Sequence, residues 1–588
     1  MPKQLKTDRP DFYPVFIAAF ALLSYGRIFF LADVFWDDNA WFLSLYKSKD
    51  LDGFLNTGWL ELRRAANGIF TYYFFSLHKN TDYFYIIGHS LNLVTQVLTP
   101  CFLYLLVRDL FGKRFPAFLS AAVLLIYPID YTLPIFSTIT YRLGSLLSVI
   151  SLYLTMRAFS GDKRWPLLAV GLALSGFSEY VLLEAAVALE PARLFIIGYS
   201  FYREGADRKH IIKNLVKYGS PFILLLMPLI FYKLIYKPFG IYTDIYKSDP
   251  LFFLKWKLHL EFLKHFFFVN WFRFTGIVDW TRYASLWSVM LGILGMLSGL
   301  YALRGVFKEE ESLKQSPAAQ WRTGMLVLAF GLIILIPSVS LYEFTGRVPG
   351  FRIESRHGII VQLGYAMVWG SLLFILPAFF LKNSFKKSAF KLFVSALIGI
   401  GIFFSNFNLD LAYNSWQKQA GFWRAFTARF PVIPEKAAFF FDIYLDMPVF
   451  DTEFDNEYDY EFVLNALYAT SEKPEDFRKH VALCRNDFTA GNVMDREALV
   501  LYLTGNTKRT QFRYDSQHWG KSLIDTDDVI FVFYNLDGSL LVNKELLQYF
   551  PQLGYDYFFR SLLDKELPEL PSSTPPAYPL RHKLKGFY

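Results

Sequence analysis

Cysteine is almost missing from this chain: Cys101 and Cys484 are the only two in 588 residues. With one in an apolar run and one in the C-terminal region, they offer no disulfide framework, although the second lies in a region expected to face an oxidising compartment. There is no CxxC pair, no P-loop, no Rossmann glycine fingerprint and no HExxH. Neither a nucleotide cofactor nor a standard zinc hydrolase is indicated. Zinc-finger, single-strand-binding and helix-turn-helix signals are missing too, which makes nucleic acid a poor partner despite a formal charge of +8. The first apolar run, about Asp11 to Leu31, follows Lys3, Lys6 and Arg9 and lacks a small-residue cleavage site. It therefore reads as a retained first transmembrane helix rather than a signal peptide.

What the chain does contain is apolar surface. It is 54% hydrophobic and 19% aromatic, with a mean hydropathy of +0.27. Apolar stretches long enough to cross roughly 30 Å of hydrocarbon as helices recur through residues 1–405, and the rest of the chain has none. Eleven spans are expected, near 12–31, 84–107, 115–129, 143–159, 166–182, 185–200, 214–235, 283–303, 322–340, 358–380 and 389–405. A cytoplasmic N-terminus puts the basic connectors Arg108–Arg114, Arg157–Arg164, Arg203–Lys213, Arg304–Lys314 and Lys382–Lys391 inside, as the positive-inside bias requires. The loop 32–82, the loops near 236–282 and 341–357, and residues 406–588 then lie outside.

Those outer loops are themselves basic. Residues 236–282 carry Lys237, Lys247, Lys255, Lys257, Lys264, Arg273 and Arg282, and the next outer loop carries Arg347, Arg352 and Arg356. Two readings stand: satisfaction by lipid headgroups, or a surround for phosphate or pyrophosphate, which Arg meets with a planar fork of donors.

Acidic residues at the outer face sharpen the question. Phe35-Trp36-Asp37-Asp38-Asn39 directly follows the first span. Carboxylates at a membrane boundary lose hydration unless a cation, a hydrogen-bond donor or a metal compensates, so the pair is either a structural cap or salt bridge, or a catalytic or metal-binding group. Farther along the same loop, Trp41 to Tyr46 and Trp59-Leu60-Glu61-Leu62-Arg63-Arg64 have the composition of short helices lying in the interface. Asp130 closes the third span after Pro128 and is expected on the same face, where it either ends a helix into a turn or joins the chemistry; Arg142 opens the following span. Glu179, Glu184 and Glu190 surround the fifth and sixth spans and require partners or a polar cavity.

This arrangement resembles the GT-C class of polytopic membrane glycosyltransferases, which use lipid-phosphate-linked sugars. The likeness rests on Asp37-Asp38 in a first outer loop, the stretch Trp59 to Arg64, Asp130 at the second outer loop, Arg352-Ile353-Glu354-Ser355-Arg356-His357 before a late span, Trp416 to Pro431 as the passage out of the last helix, and an extracytoplasmic C-terminal region. It implies a helical membrane domain (residues 1–405) followed by a periplasmic domain (residues 406–588), in a bacterial inner membrane. By the same resemblance Asp37 or Asp38 acts as base or positions the acceptor, with Asp130 as a further catalytic candidate. Arg352, Arg356 and His357, joined by Arg63 and Arg64, hold the donor phosphate. Glu184 and Arg142 are candidates for orienting the acceptor, and a divalent cation (Mg or Mn) at Asp37 and Asp130 is an open expectation. The implied partners are membrane lipids, a polyprenyl-phosphate sugar donor and a glycan, lipid or protein acceptor. Such a transfer breaks an anomeric C–O bond while the acceptor hydroxyl loses its proton; a single displacement with one essential carboxylate predicts inversion.

Residues 406–588 read as a soluble α/β domain. Ala438 to Leu445 and Val529 to Tyr534 have strand character, a turn at Asn535-Leu536-Asp537-Gly538 leads into Ser539 to Val542, and Tyr458 to Tyr468 and Asp495 to Leu503 have helical character. The acidic cluster from Asp451 to Asp459 lacks calcium-loop spacing. Two other functional classes compete: a transporter or flippase of lipid-linked saccharide, whose intramembrane acids would couple transport, and a polysaccharide polymerase.

Overall fold

The computed structural model describes residues 11–31, 37–127 apart from 58, 61, 63 and 82, then 132–160, 164–235, 260, 264, 284–312, 317–344, 356–380, 384–433, 437–443, 457–468, 481–484, 511–516, 520–525, 529–534 and 539–542. These fall into two compact units. One comprises residues 1–29, 86–134 and 138–410; the other joins residues 30–85 and 135–137 to 411–588. Residues 30–85 thus group with the C-terminal residues.

The first unit is helical. Its elements are α1 (Tyr13–Tyr25), most of α5 (Phe84–Phe111), α6 (Arg114–Ile126), α7 (Ile139–Ala158), α8 (Arg164–Phe177), α9 (Glu190–Arg203), α10 (Arg208–Ile235), α11 (Leu286–Ser312), α12 (Pro317–Phe344), α13 (Gly358–Phe380) and the first part of α14 (Ser384–Arg429). Between α8 and α9 the chain passes through a π-helical turn, Ser178–Leu182, and a 3-10 segment, Glu184–Leu189. Eight helices among the described residues are long and apolar enough to cross a membrane. They coincide with eight of the eleven expected spans. The other three expectations correspond to α6, with 13 residues, α9, with 14 residues and Glu190 and Arg193 buried within it, and α10, whose 28 residues include Pro221 and Pro228.

Small residues set the closest helix contacts. A Cβ at Gly364 of α13 would stand 2.5 Å from the Leu335 nitrogen of α12, and one at Gly370 would stand 2.6 Å from the Ser120 nitrogen of α6. Only hydrogen fits there, so the backbones approach as membrane helices do in the absence of a hydrophobic drive between them. Polar ties complete this bundle: Tyr25 Oη donates to the Leu125 carbonyl, Asn406 Nδ2 to that of Leu23, and Asp410 accepts from Arg27 at 2.7 Å and from the Ser285 amide at 2.8 Å.

The second unit contains α2 (Asp37–Lys47), α3 (Leu51–Leu55), α4 (Ala65–Asn80), α15 (Glu457–Tyr468) and six strands. A four-stranded sheet runs β2 (Val481–Cys484), β1 (Ala438–Ile443), β5 (Val529–Tyr534), β6 (Leu540–Val542), with β1 parallel to both neighbours and β6 antiparallel to β5. Strands β3 (Gln511–Ser516) and β4 (Gly520–Asp525) form an antiparallel pair. A parallel pair needs a crossover, and the one between β1 and β2 holds α15. Residues 416–429, expected as a passage out of the last span, continue α14 as helix; Trp423 there is fully enclosed, and Phe422, Trp423 and Phe426 pack on Phe441 of β1. The expected helix Asp495 to Leu503 lies outside the described residues.

Candidate active site

Asp37-Asp38-Asn39 opens α2 and Lys47 closes it, so the charges complement the helix dipole at both ends. One face of α2 is apolar and buried: Phe42 meets Phe75 at 4.9 Å and stacks on Phe462 at 5.2 Å between ring centroids. Tyr46 Oη is 2.9 Å from His78 Nδ1, and Lys47 Nζ pairs with Glu461 Oε1 at 2.6 Å. The expected short helix over Trp41 to Tyr46 is present, and its Phe42 and Tyr46 side chains pack within the protein. Of the stretch Trp59 to Arg64, residues 61 and 63 lie outside the described residues. Trp59 and Leu60 form a turn in which the Leu60 amide donates to Leu55 and the Arg64 amide to Trp59. Trp59 is buried and stacks on Trp41 with centroids 4.4 Å apart.

Asp38 is fully enclosed. Its Oδ2 accepts from the Phe136 amide at 2.8 Å and its Oδ1 from the Ser137 amide at 2.6 Å. Two charge-assisted bonds to main chain nearly a hundred residues away lock the first turn of α2 onto the 3-10 turn Phe136–Thr138. That geometry makes Asp38 the anchor of the loop, and it holds the backbone of neighbouring Asp37 in register. Asp37 lies in the first turn of α2. Arg64 is half-buried immediately before α4, while Arg63 lies outside the described residues.

In the helical unit, Arg142 is 2% exposed, with Nη1 donating to Thr138 Oγ1 at 2.8 Å and Asn92 Oδ1 at 3.3 Å, and Nη2 to Thr132 Oγ1 at 3.0 Å. Asn92 in turn donates to the Leu133 carbonyl at 2.9 Å. The guanidinium thus ties Thr132, Thr138 and Asn92 together. Arg356 and His357 form a 3-10 turn leading into α13; Arg356 is half-buried, and His357 sits between the rings of Tyr342 and Tyr141 at 5.3 and 6.1 Å. Glu184 begins the 3-10 segment and is half-buried. Arg352 and Asp130 lie outside the described residues. Among those described, no group of three or more His, Cys, Asp or Glu side chains could hold a metal ion.

Two features escaped the sequence reading. The partners of Asp38 are main-chain amides, which no residue type announces. The partner of Glu190 is Arg193, whose i,i+3 spacing was available as a signal. An open groove lined by Ala169, Leu172, Gly176, Phe177, Tyr180 and Leu225 is apolar and offers no reacting group.

No family model matches the chain, and no curated protein sequence matches it. Two solved structures align with it, both of ArnT from Cupriavidus metallidurans. The one bound to undecaprenyl phosphate is 11% identical over 87% of this chain and 97% of that one, with a TM-score of 0.34. The apo state is 10% identical over 92% and 94%, with a TM-score of 0.32. ArnT is a GT-C glycosyltransferase, the class that the sequence arrangement resembles. Similarity at this level transfers no residue's role.

Proposed function

We propose that this chain transfers a sugar from a polyprenyl-phosphate-linked donor to an envelope glycan, lipid or protein acceptor at the periplasmic face of a bacterial inner membrane, with inversion at the anomeric carbon. The supporting observation is the division of labour within the acidic pair: Asp38 spends both oxygens on the Phe136 and Ser137 amides, which leaves Asp37 as the base. Asp37 accepts the acceptor's hydroxyl proton, the oxygen attacks the anomeric carbon, and the C–O bond to phosphate breaks, releasing polyprenyl phosphate. Arg356, with Arg352 and His357, meets the phosphate as its charge develops; Arg63 and Arg64 are the further cations of the outer loop. Glu184 and Asp130 orient the acceptor, and Arg142 holds the turn between them in sequence. Mg or Mn at Asp37 and Asp130 would share the offset of phosphate charge, and the proton and bond balance of the step closes without it.

The N-terminus is cytoplasmic and residues 406–588 are periplasmic in this reading. The test is sugar transfer by purified protein in lipid, with a panel of radiolabelled polyprenyl-phosphate sugars, mixed envelope acceptors and a chelator arm. Transfer of single sugars supports the proposal. Long products would indicate a polymerase, and donor binding or translocation without transfer would indicate a transporter.

A further inference from the structure

Glu179, at the π-helical turn that ends the fourth long apolar stretch, is 1% exposed, and Glu190 is 6% exposed. Arg193 grips Glu190 with both arms of its fork: Nε reaches Oε2 and Nη2 reaches Oε1, each at 2.7 Å. Nη1 donates to Thr155 Oγ1 at 2.6 Å, and the guanidinium lies 3.9 Å from the Phe222 ring centroid. Glu190 is therefore the carboxylate of a bidentate ion pair.

The proton count at Ser175 decides the state of Glu179. Ser175 Oγ lies 2.9 Å from Glu179 Oε1, 2.9 Å from Glu190 Oε1 and 3.0 Å from Arg193 Nη2. The arginine can only donate. A hydroxyl has one hydrogen, so it can serve one of the two glutamates, and the other short oxygen–oxygen contact needs a proton of its own. Glu190 already takes two guanidinium donors. The missing proton then belongs to Glu179, whose O–H donates to Ser175 while Ser175 donates to Glu190; every lone pair and hydrogen of the hydroxyl is used. Glu179 Oε2 has no hydrogen-bond partner, which a neutral carbonyl oxygen tolerates far better than half of a buried anion.

We propose that Glu179 and Glu190 together form a binding site for a single proton, held on Glu179 at neutral pH. Among the described residues, the charged groups facing it are Glu190 and Arg193 of α9. From α8 comes the Ser175 hydroxyl, from α7 Thr155 and the Ser151 carbonyl, and from α10 the Phe222 ring. Losing the proton would set a second carboxylate on a hydroxyl and a guanidinium already fully engaged, at a π-turn of the kind that recurs at functional positions.

Infrared difference spectroscopy of the purified full chain in lipid, at neutral pH in light and heavy water, reads the proton directly. The expected result is a protonated-carboxyl carbonyl band that shifts in heavy water and disappears in Glu179→Gln. If that variant does not fold, wild-type chain grown on glutamate with heavy carbon at the side-chain carboxyl must shift the same band. Absence of the band in wild type, its survival in folded Glu179→Gln, or its indifference to labelled glutamate would each overturn the proposal.

Discussion

Replacing Asp38 by Asn separates anchoring from chemistry. The carboxylate accepts two amide hydrogens in a fully buried setting, and hydrogen bonds to a charged group contribute about 1.5–3 kcal/mol each. Asparagine keeps one oxygen as a neutral acceptor and points its NH2 at the other amide, two donors face to face. The net loss is about 3 kcal/mol, roughly one ordinary bond being retained from a gross contribution of about 3–6. Hydrogen exchange read by mass spectrometry on the peptide containing Phe136 and Ser137 should therefore quicken roughly 100-fold, at about 1.4 kcal/mol per decade. Peptides within α11 and α12 should keep their protection. Unchanged exchange at Phe136 and Ser137 in a folded Asp38→Asn protein would refute the anchor and return Asp38 to the list of possible bases.

The remaining expectations concern packing and donor binding. Gly370→Ala puts a methyl group 2.6 Å from the Ser120 nitrogen, and the thermal unfolding midpoint in lipid should fall with a loss of about 1–3 kcal/mol; a neutral result would contradict the close approach of α13 to α6. Arg142→Lys keeps the charge but cannot reproduce the fork to Asn92, Thr138 and Thr132, so stability should drop by about 2–3 kcal/mol, and an unaltered midpoint would count against the arginine's role in the turn. Arg356→Ala should raise KM for the polyprenyl-phosphate sugar roughly 10- to 100-fold, with partial recovery in Arg356→Lys; an unchanged KM would remove Arg356 from the phosphate site.

The long apolar helices were legible because a bilayer-crossing helix must be both long and apolar, and α5, α11, α12 and α13 satisfy that with little interruption. Strands β1 and β5 were legible as short apolar runs, but their parallel register, Ala438 opposite Val529, depends on contacts that no local pattern encodes. Asp37-Asp38 stood out as carboxylates in an apolar setting. What Asp38 binds did not, since Phe136 and Ser137 act through their main chain and lie far along the sequence. The stacking of Trp59 on Trp41 was not legible, because composition marks both rings as amphipathic without naming their partner. The glutamates were correctly expected to need partners; Ser175 escaped notice because a serine in an apolar helix carries no charge to mark it.

Sugar transfer by Asp37→Asn protein beside wild type, in lipid and at matched folding and donor binding, decides whether Asp37 is the base. Turnover of the radiolabelled polyprenyl-phosphate sugar should be lost while the donor is still bound. Wild-type rates in the Asp37→Asn protein would contradict that role.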